Sequence, residues 1–148
     1  MDYAQVMSIQ TELRRDEGYA VWPYKDTRGN TTWGIGHNLS AAPLCLSAAG
    51  FLGQAIQAQF DHDLDQVTSA LATYPWYAHL DLVRQAALQN MVFNLGAETF
   101  SKFAGFRGYM ASGDYSAAAA DLRTTLVYKQ LSSRYERLAK QIETGIEQ

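Results

Sequence analysis

Asp16-Glu17-Gly18, then Tyr24-Lys25-Asp26-Thr27-Arg28-Gly29-Asn30-Thr31-Thr32-Trp33-Gly34-Ile35-Gly36-His37, is the stretch on which the fold of this chain turns. Upstream of it, Val6, Met7, Ile9 and Leu13 make a rough helical stripe over residues 3–17, and Gly18 suits the C-cap of that helix. From Tyr19 to His37 the pattern changes to aromatic and β-branched residues on either side of Asp26–Asn30, which predicts strand, turn, strand, with Pro23 suited to an edge strand. One carboxylate, Glu17, therefore falls at a helix end, a second, Asp26, on a hairpin arm, and the hydroxyl of Thr32 on the returning arm. Cleaving a glycosidic bond needs a protonated carboxyl beside the leaving oxygen and an ionised one that activates or replaces water. The negative end of the helix dipole favours the neutral form of Glu17, whereas Asp26 beside a solvent-facing turn stays ionised. By itself such a pair is a weak signal, because most surface carboxylates are only solvated charges.

Working outward, the 148 residues predict one folding unit with room for two lobes. With 47% hydrophobic and 18% charged residues the chain builds a real core, which excludes global disorder. The net charge of −3 argues against a general nucleic-acid binder. The charge is uneven: residues 101–140 carry a basic excess that an anionic polymer could find, while residues 1–81 are acidic. Cys45 is the one cysteine, so no intramolecular disulfide forms, and a structural thiol is expected there. The N-terminus shows no basic segment followed by an apolar run, and Ala41–Gly53 falls short of the ~20 residues of a spanning helix, so neither a signal peptide nor a stable membrane association is expected.

After Pro43, Phe51, Leu52, Ile56, Phe60, Leu64 and Val67 recur at helical steps up to Tyr74-Pro75, predicting a connecting helix over about 53–73. Leu82, Val83, Ala86, Ala87, Leu88, Met91 and Val92 are apolar over a wide arc, which predicts the central helix of a second lobe, ended by Gly96. Shorter helices are expected around 103–111, 115–122 and 131–142, with Gly105, Gly108 and Gly113 as punctuation and Ala117–Ala120 as a packing face.

The pattern Glu, eight residues, Asp, five residues, Thr, then Gly-x-Gly-His resembles the phage-type lysozymes, the muramidases of glycoside hydrolase family 24. The match is close through Leu13–Leu39. Arg84-Gln85-Ala86-Ala87-Leu88-Gln89-Asn90-Met91-Val92-Phe93-Asn94-Leu95-Gly96 is similar to the family's buried C-terminal-lobe helix. The resemblance implies Glu17 as general acid, Asp26 as second carboxylate and Thr32 as the hydroxyl beside the nucleophilic water. It implies Phe93 as a sugar contact, Arg134 as a basic residue approaching the catalytic Glu, and a structural pair between His37 and Asp63. Asp121 stands where a sugar-binding Asn is common, Asn38 replaces an apolar residue after the His, and Val127 sits where an aromatic is common. These departures bear on sugar subsites rather than on the reaction class.

Thr32 also fits an ordinary strand position; Gly34 and Gly36 are read as permitting close backbone packing; His37 is read as structural; Trp22, Trp33 and Trp76 as core or cleft-wall aromatics; Arg14 and Arg15 as a solvated face. No phosphate loop, zinc pattern or Ser-His-Asp signature appears, and no metal or cofactor is expected. The expected architecture is α+β, mainly α: a small β-hairpin lobe over about 1–52, the connecting helix over about 53–73 and an all-helical lobe over about 74–148, flanking a cleft. The implied activity is hydrolysis of the β-1,4 bond between N-acetylmuramic acid and N-acetylglucosamine in bacterial peptidoglycan, by a monomeric endolysin that stays in the host cytoplasm until a separate holin-like protein releases it. The rivals are a lytic transglycosylase and a non-catalytic wall-binding or virion protein on the same scaffold.

Overall fold

The structure, a computed structural model, describes residues 3–44 and 52–148; Cys45 and Phe51 lie outside the described residues. The chain divides into two compact units, residues 6–66 and residues 67–148, the latter joined by residues 1–5.

The first unit opens on α1 (Tyr3–Glu17). Gly18, with φ of +77°, closes it by donating its N–H to Arg14 O at 3.0 Å, a left-handed end that a residue with a Cβ rarely takes. β1 (Ala20–Lys25) and β2 (Thr31–Gly34) pair antiparallel, and the turn between them is closed by Asp26 N–H to Asn30 O at 2.9 Å and Gly29 N–H to Asp26 O at 3.0 Å. A third strand, β3 (His37–Asn38), adds to β2 and gives the order β1-β2-β3, so the expected hairpin is an antiparallel sheet of three strands. Two residues carry no readable period, which is why this strand escapes the sequence. β1 is an edge strand, as Pro23 predicts. Between the pairs Ala20–Gly34 and Tyr24–Thr32 its register slips, so that Val21, Trp22 and Pro23 stand opposite Trp33 alone, whose indole N–H is donated to Val21 O at 3.0 Å.

Ile9 and Leu13 of α1, Trp33 and Ile35 around the sheet, and Ile56 and Phe60 of α2 (Leu52–Ala72) are buried. Gly34 approaches α2 so closely that a Cβ there would lie 3.3 Å from Ile56 Cγ2. Arg14 does not belong to a solvated face: it donates to Gln57 Oε1 and its guanidinium sits 5.6 Å from the Phe60 ring centroid. Trp22 is likewise no core residue, being 77% exposed.

The second unit takes over within α2 at Val67. Asp81 caps α3 (Leu82–Leu95) by accepting from Arg84 N–H at 3.0 Å, and Gly96, with φ of +82°, ends it. Leu88, Met91, Phe100, Phe106, Met110, Leu122, Tyr135, Leu138 and Ile142 make its core. They come from α3, α4 (Ala97–Ser101), α5 (Ala104–Ser112), α6 (Tyr115–Thr124) and α8 (Ser132–Thr144); α7 (Leu126–Gln130) lies between the last two. Gly105 and Gly108 lie inside α5 and do not break it; only Gly113, with φ of +77°, is punctuation. A Cβ at Gly105 would make ordinary contact, at 3.5 Å, with the Asp121 carboxylate on α6. Ala118 and Ala119 are fully buried on α6, which packs against α5 and α8, in keeping with a small-residue packing face. Within the basic stretch 101–140, Arg123 meets Glu136 at 3.0 Å and Glu143 at 3.2 Å, and Lys102 meets Glu98 at 3.2 Å.

Candidate active site

Six of the residues singled out from the sequence, Glu17, Asp26, Thr32, His37, Asn38 and Asp63, fall in the first unit, and three, Phe93, Asp121 and Arg134, in the second. Glu17 is the last residue of α1 and is half-buried. Its side chain lies against the turn between β2 and β3: a Cβ added to Gly36 would stand 2.9 Å from Glu17 Oε2 and 3.0 Å from its Cβ, with φ at Gly36 of +67°. Gly36 is thus required twice, for its backbone conformation and for the room it leaves the carboxyl.

Asp26 is held by its own turn. Its Oδ1 accepts the N–H groups of Arg28 at 2.9 Å and Asn30 at 2.8 Å, and its Oδ2 accepts the Asn30 side-chain amide at 3.2 Å. Desolvation pushes this carboxyl up, but the hydrogen bonds from Asn30 and Arg28, together with the Arg28 charge, outweigh it and hold it below the ordinary aspartate range. Asp26 is therefore a fixed anion at neutral pH. Asn30, which supplies two of those donors, was legible from the sequence only as a turn residue.

Thr32 is 5% exposed and stands in the middle of the sheet, paired with Tyr24 on one side and Asn38 on the other. Asn38 Oδ1 accepts the N–H groups of Ser40 at 2.9 Å and Ala41 at 3.2 Å, so this oxygen shapes the loop after β3. Behind the sheet, His37 Nδ1 donates to Asp63 Oδ2 at 2.7 Å and Nε2 donates to Ala42 O at 3.2 Å, while Gln59 donates to the other Asp63 oxygen at 2.8 Å. The Asp63 hydrogen bond raises the His37 pKa above its usual value, with its charge and the Ala42 carbonyl adding to the shift and burial opposing it.

In the second unit, Arg134 is buried on α8 and donates from Nε to Asn90 Oδ1 at 2.8 Å. Phe93 packs partly buried against the helical core, and Asp121 turns its carboxylate toward Gly105. Asn90 and Gln59 are the partners that sequence reading missed; a buried amide on a helix carries no pattern of its own. No cluster of His, Cys, Asp and Glu suited to holding a metal ion occurs among the described residues, and no helix among them is long and apolar enough to cross a membrane.

The chemistry available in the first unit is that of an acid at a helix end against a glycine turn, a fixed anion on the adjoining hairpin and a hydroxyl on the strand between. Comparison with known proteins bears on the family of the chain as a whole. The chain is 28% identical over 163 residues to probable T4-type lysozyme 1 of Dictyostelium discoideum, covering 95% of this chain and 96% of that one, and equally similar to probable T4-type lysozyme 2 of the same organism. It is 30% identical over 161 residues to the pre-baseplate central spike protein Gp5 of Enterobacteria phage T4, covering 94% of this chain but 28% of the spike protein. The family model for phage lysozyme matches residues 14–140, and the chain belongs to that family.

Proposed function

We propose that this chain, a peptidoglycan hydrolase by family, cuts the β-1,4 bond between N-acetylmuramic acid and N-acetylglucosamine, with Glu17 as general acid and Asp26 and Thr32 holding the attacking water. The observation that carries the reading is the Asp26 turn. Three donors from Arg28 and Asn30 fix its carboxylate as an anion, which is the state needed to polarise a water, whereas a general acid must arrive protonated. Glu17, held beside Gly36 on the same unit, takes the other role. Proton transfer from Glu17 to the glycosidic oxygen breaks the C–O bond as water, oriented by Asp26 and Thr32, adds to the anomeric carbon and gives its proton to Asp26. The product anomer is then inverted. Phe93, Asn38, Asp121 and Arg134 are assigned to sugar binding on the resemblance of their positions.

Proton NMR of the first product formed from a defined muramyl oligosaccharide tests the mechanism. Inversion at the anomeric carbon is expected; retention would point to a covalent intermediate, and a 1,6-anhydro product, lighter by one water, to a lytic transglycosylase. In the cell the reading is an endolysin that waits in the host cytoplasm as a monomer for a holin-like protein. A second setting, wall opening by a virion component at entry, is favoured by the similarity to the T4 central spike protein; immunodetection of the chain in purified particles would separate the two.

A further inference from the structure

Trp22 is the most exposed large hydrophobic side chain among the described residues, at 77%, and Tyr19 at 54%, Tyr24 at 42% and Val21 at 40% stand beside it in the chain. Tryptophan is on average a strongly buried residue, so one that an ordered strand holds almost fully in solvent is offered to a partner. β1 supplies this surface as an edge strand, yet its backbone is a poor template for an added strand: Pro23 has no N–H, the register slips at Val21–Pro23, and Lys25 closes the strand. The rings, not the backbone, are what this edge presents.

Charge narrows the partner further. Residues 6–66 carry Arg14, Arg15, Lys25 and Arg28 against Glu12, Asp16, Glu17, Asp26, Asp61, Asp63 and Asp65, a net acidic unit in which long-range charge gives anionic lipid or nucleic acid no advantage. An uncharged pyranose ring suits it, covering an aromatic face with its C–H groups and leaving its hydroxyls wet, as the amphipathic rings of Trp and Tyr favour. The platform is also continuous with the candidate site. Tyr24 pairs directly with Thr32, Asp26 follows at the end of the same arm, and at about 3.3 Å per residue Trp22 stands no more than ~13 Å back along the strand.

We propose that Trp22, with Tyr24 two residues on along β1, is a stacking platform for N-acetylhexosamine rings of the glycan chain beyond the linkage that is cut. The assignment rests on the reading of Glu17, Asp26 and Thr32 given above and extends it to a subsite on β1.

Calorimetry with a length series of chitooligosaccharides tests it, in a Glu17→Gln background and with Trp22→Ala and Trp22→Phe added in turn. Trp22→Ala is expected to weaken binding of long oligomers roughly two- to tenfold, the range of one aromatic contact, to leave the shortest unaffected, and to be largely rescued by Phe. Unchanged affinity for the long oligomers overturns the proposal. So does a loss confined to binding of phosphatidylglycerol vesicles, or to self-association, with glycan affinity intact, because Trp22 would then serve a membrane or a second copy. A Glu17→Gln protein that clears cell walls at the wild-type rate overturns the catalytic reading instead, while a length-dependent Trp22 effect on binding still supports the platform.

Discussion

At His37 both ring nitrogens face acceptors, Asp63 Oδ2 and Ala42 O, and only the imidazolium donates to both. Its pKa is raised in the folded state, so the stability it contributes is fully present below the unfolded value of ~6.5 and is lost as pH rises through the folded value. His37→Asn is therefore expected to lower the denaturation midpoint more near pH ~5 than near pH ~9; equal losses at both would contradict the ion pair. Two glycines of the same turn separate packing from positioning. Gly34 and Gly36 both have positive φ, at +65° and +67°, so an alanine at either costs about 1–2 kcal/mol of backbone strain. A Cβ at Gly34 meets Ile56, whereas one at Gly36 meets Glu17. Gly36→Ala is expected to lower turnover on cell walls well beyond Gly34→Ala when the two are matched for folded fraction. The carboxylates and Thr32 were legible because they recur at fixed spacing in one motif. Asn30, Gln59 and Asn90 were not, because their roles depend on which buried polar group needs a partner, and that is settled only by tertiary contact.

Elements were read best where period and boundary chemistry agreed. α1 ends at Gly18 and α3 at Gly96 as the sequence predicts, since each glycine takes a positive φ that stops the helix. Gly105 and Gly108 misled for the opposite reason: a glycine inside a helix costs about 1 kcal/mol, too little to break α5, so neither acts as punctuation. α4 and α7 are too short for a period, and the slip in β1 leaves only Pro23 as its sign. The start of α3 offers a direct check. Asp81 caps it and also pairs with Arg84, whose guanidinium donates to Ile142 O at 2.7 Å and Glu143 O at 3.1 Å at the end of α8 and stacks 3.8 Å from the Tyr115 ring centroid. Asp81→Ala should destabilise the chain by about 1 kcal/mol or somewhat more, because it removes the cap and loosens the Arg84 clamp together. Thermal denaturation reads this, and an unchanged midpoint would show that neither contact matters.

Over the whole molecule the charge balance limits what electrostatics contributes. With a net charge of −3, the molecule as a whole has little long-range attraction to an anionic wall. Wall clearance should therefore change little as ionic strength rises from ~0.01 M to ~0.15 M, over which the Debye length falls from about 30 Å to about 8 Å; a steep decline would show that the basic excess of residues 101–140 attracts the wall. The mainly helical α+β fold was readable from helical periods and from the single hairpin, whereas the division of the chain within α2 at Val67 leaves no mark in composition. The proposed chemistry depends above all on Glu17. Turbidity of permeabilised cells treated with wild-type and Glu17→Gln protein, both verified as folded by circular dichroism, measures that claim. A fall in clearing rate of at least ~10²–10⁴-fold with the fold intact is the predicted result; clearing at the wild-type rate would contradict it and move the catalytic acid elsewhere in the chain.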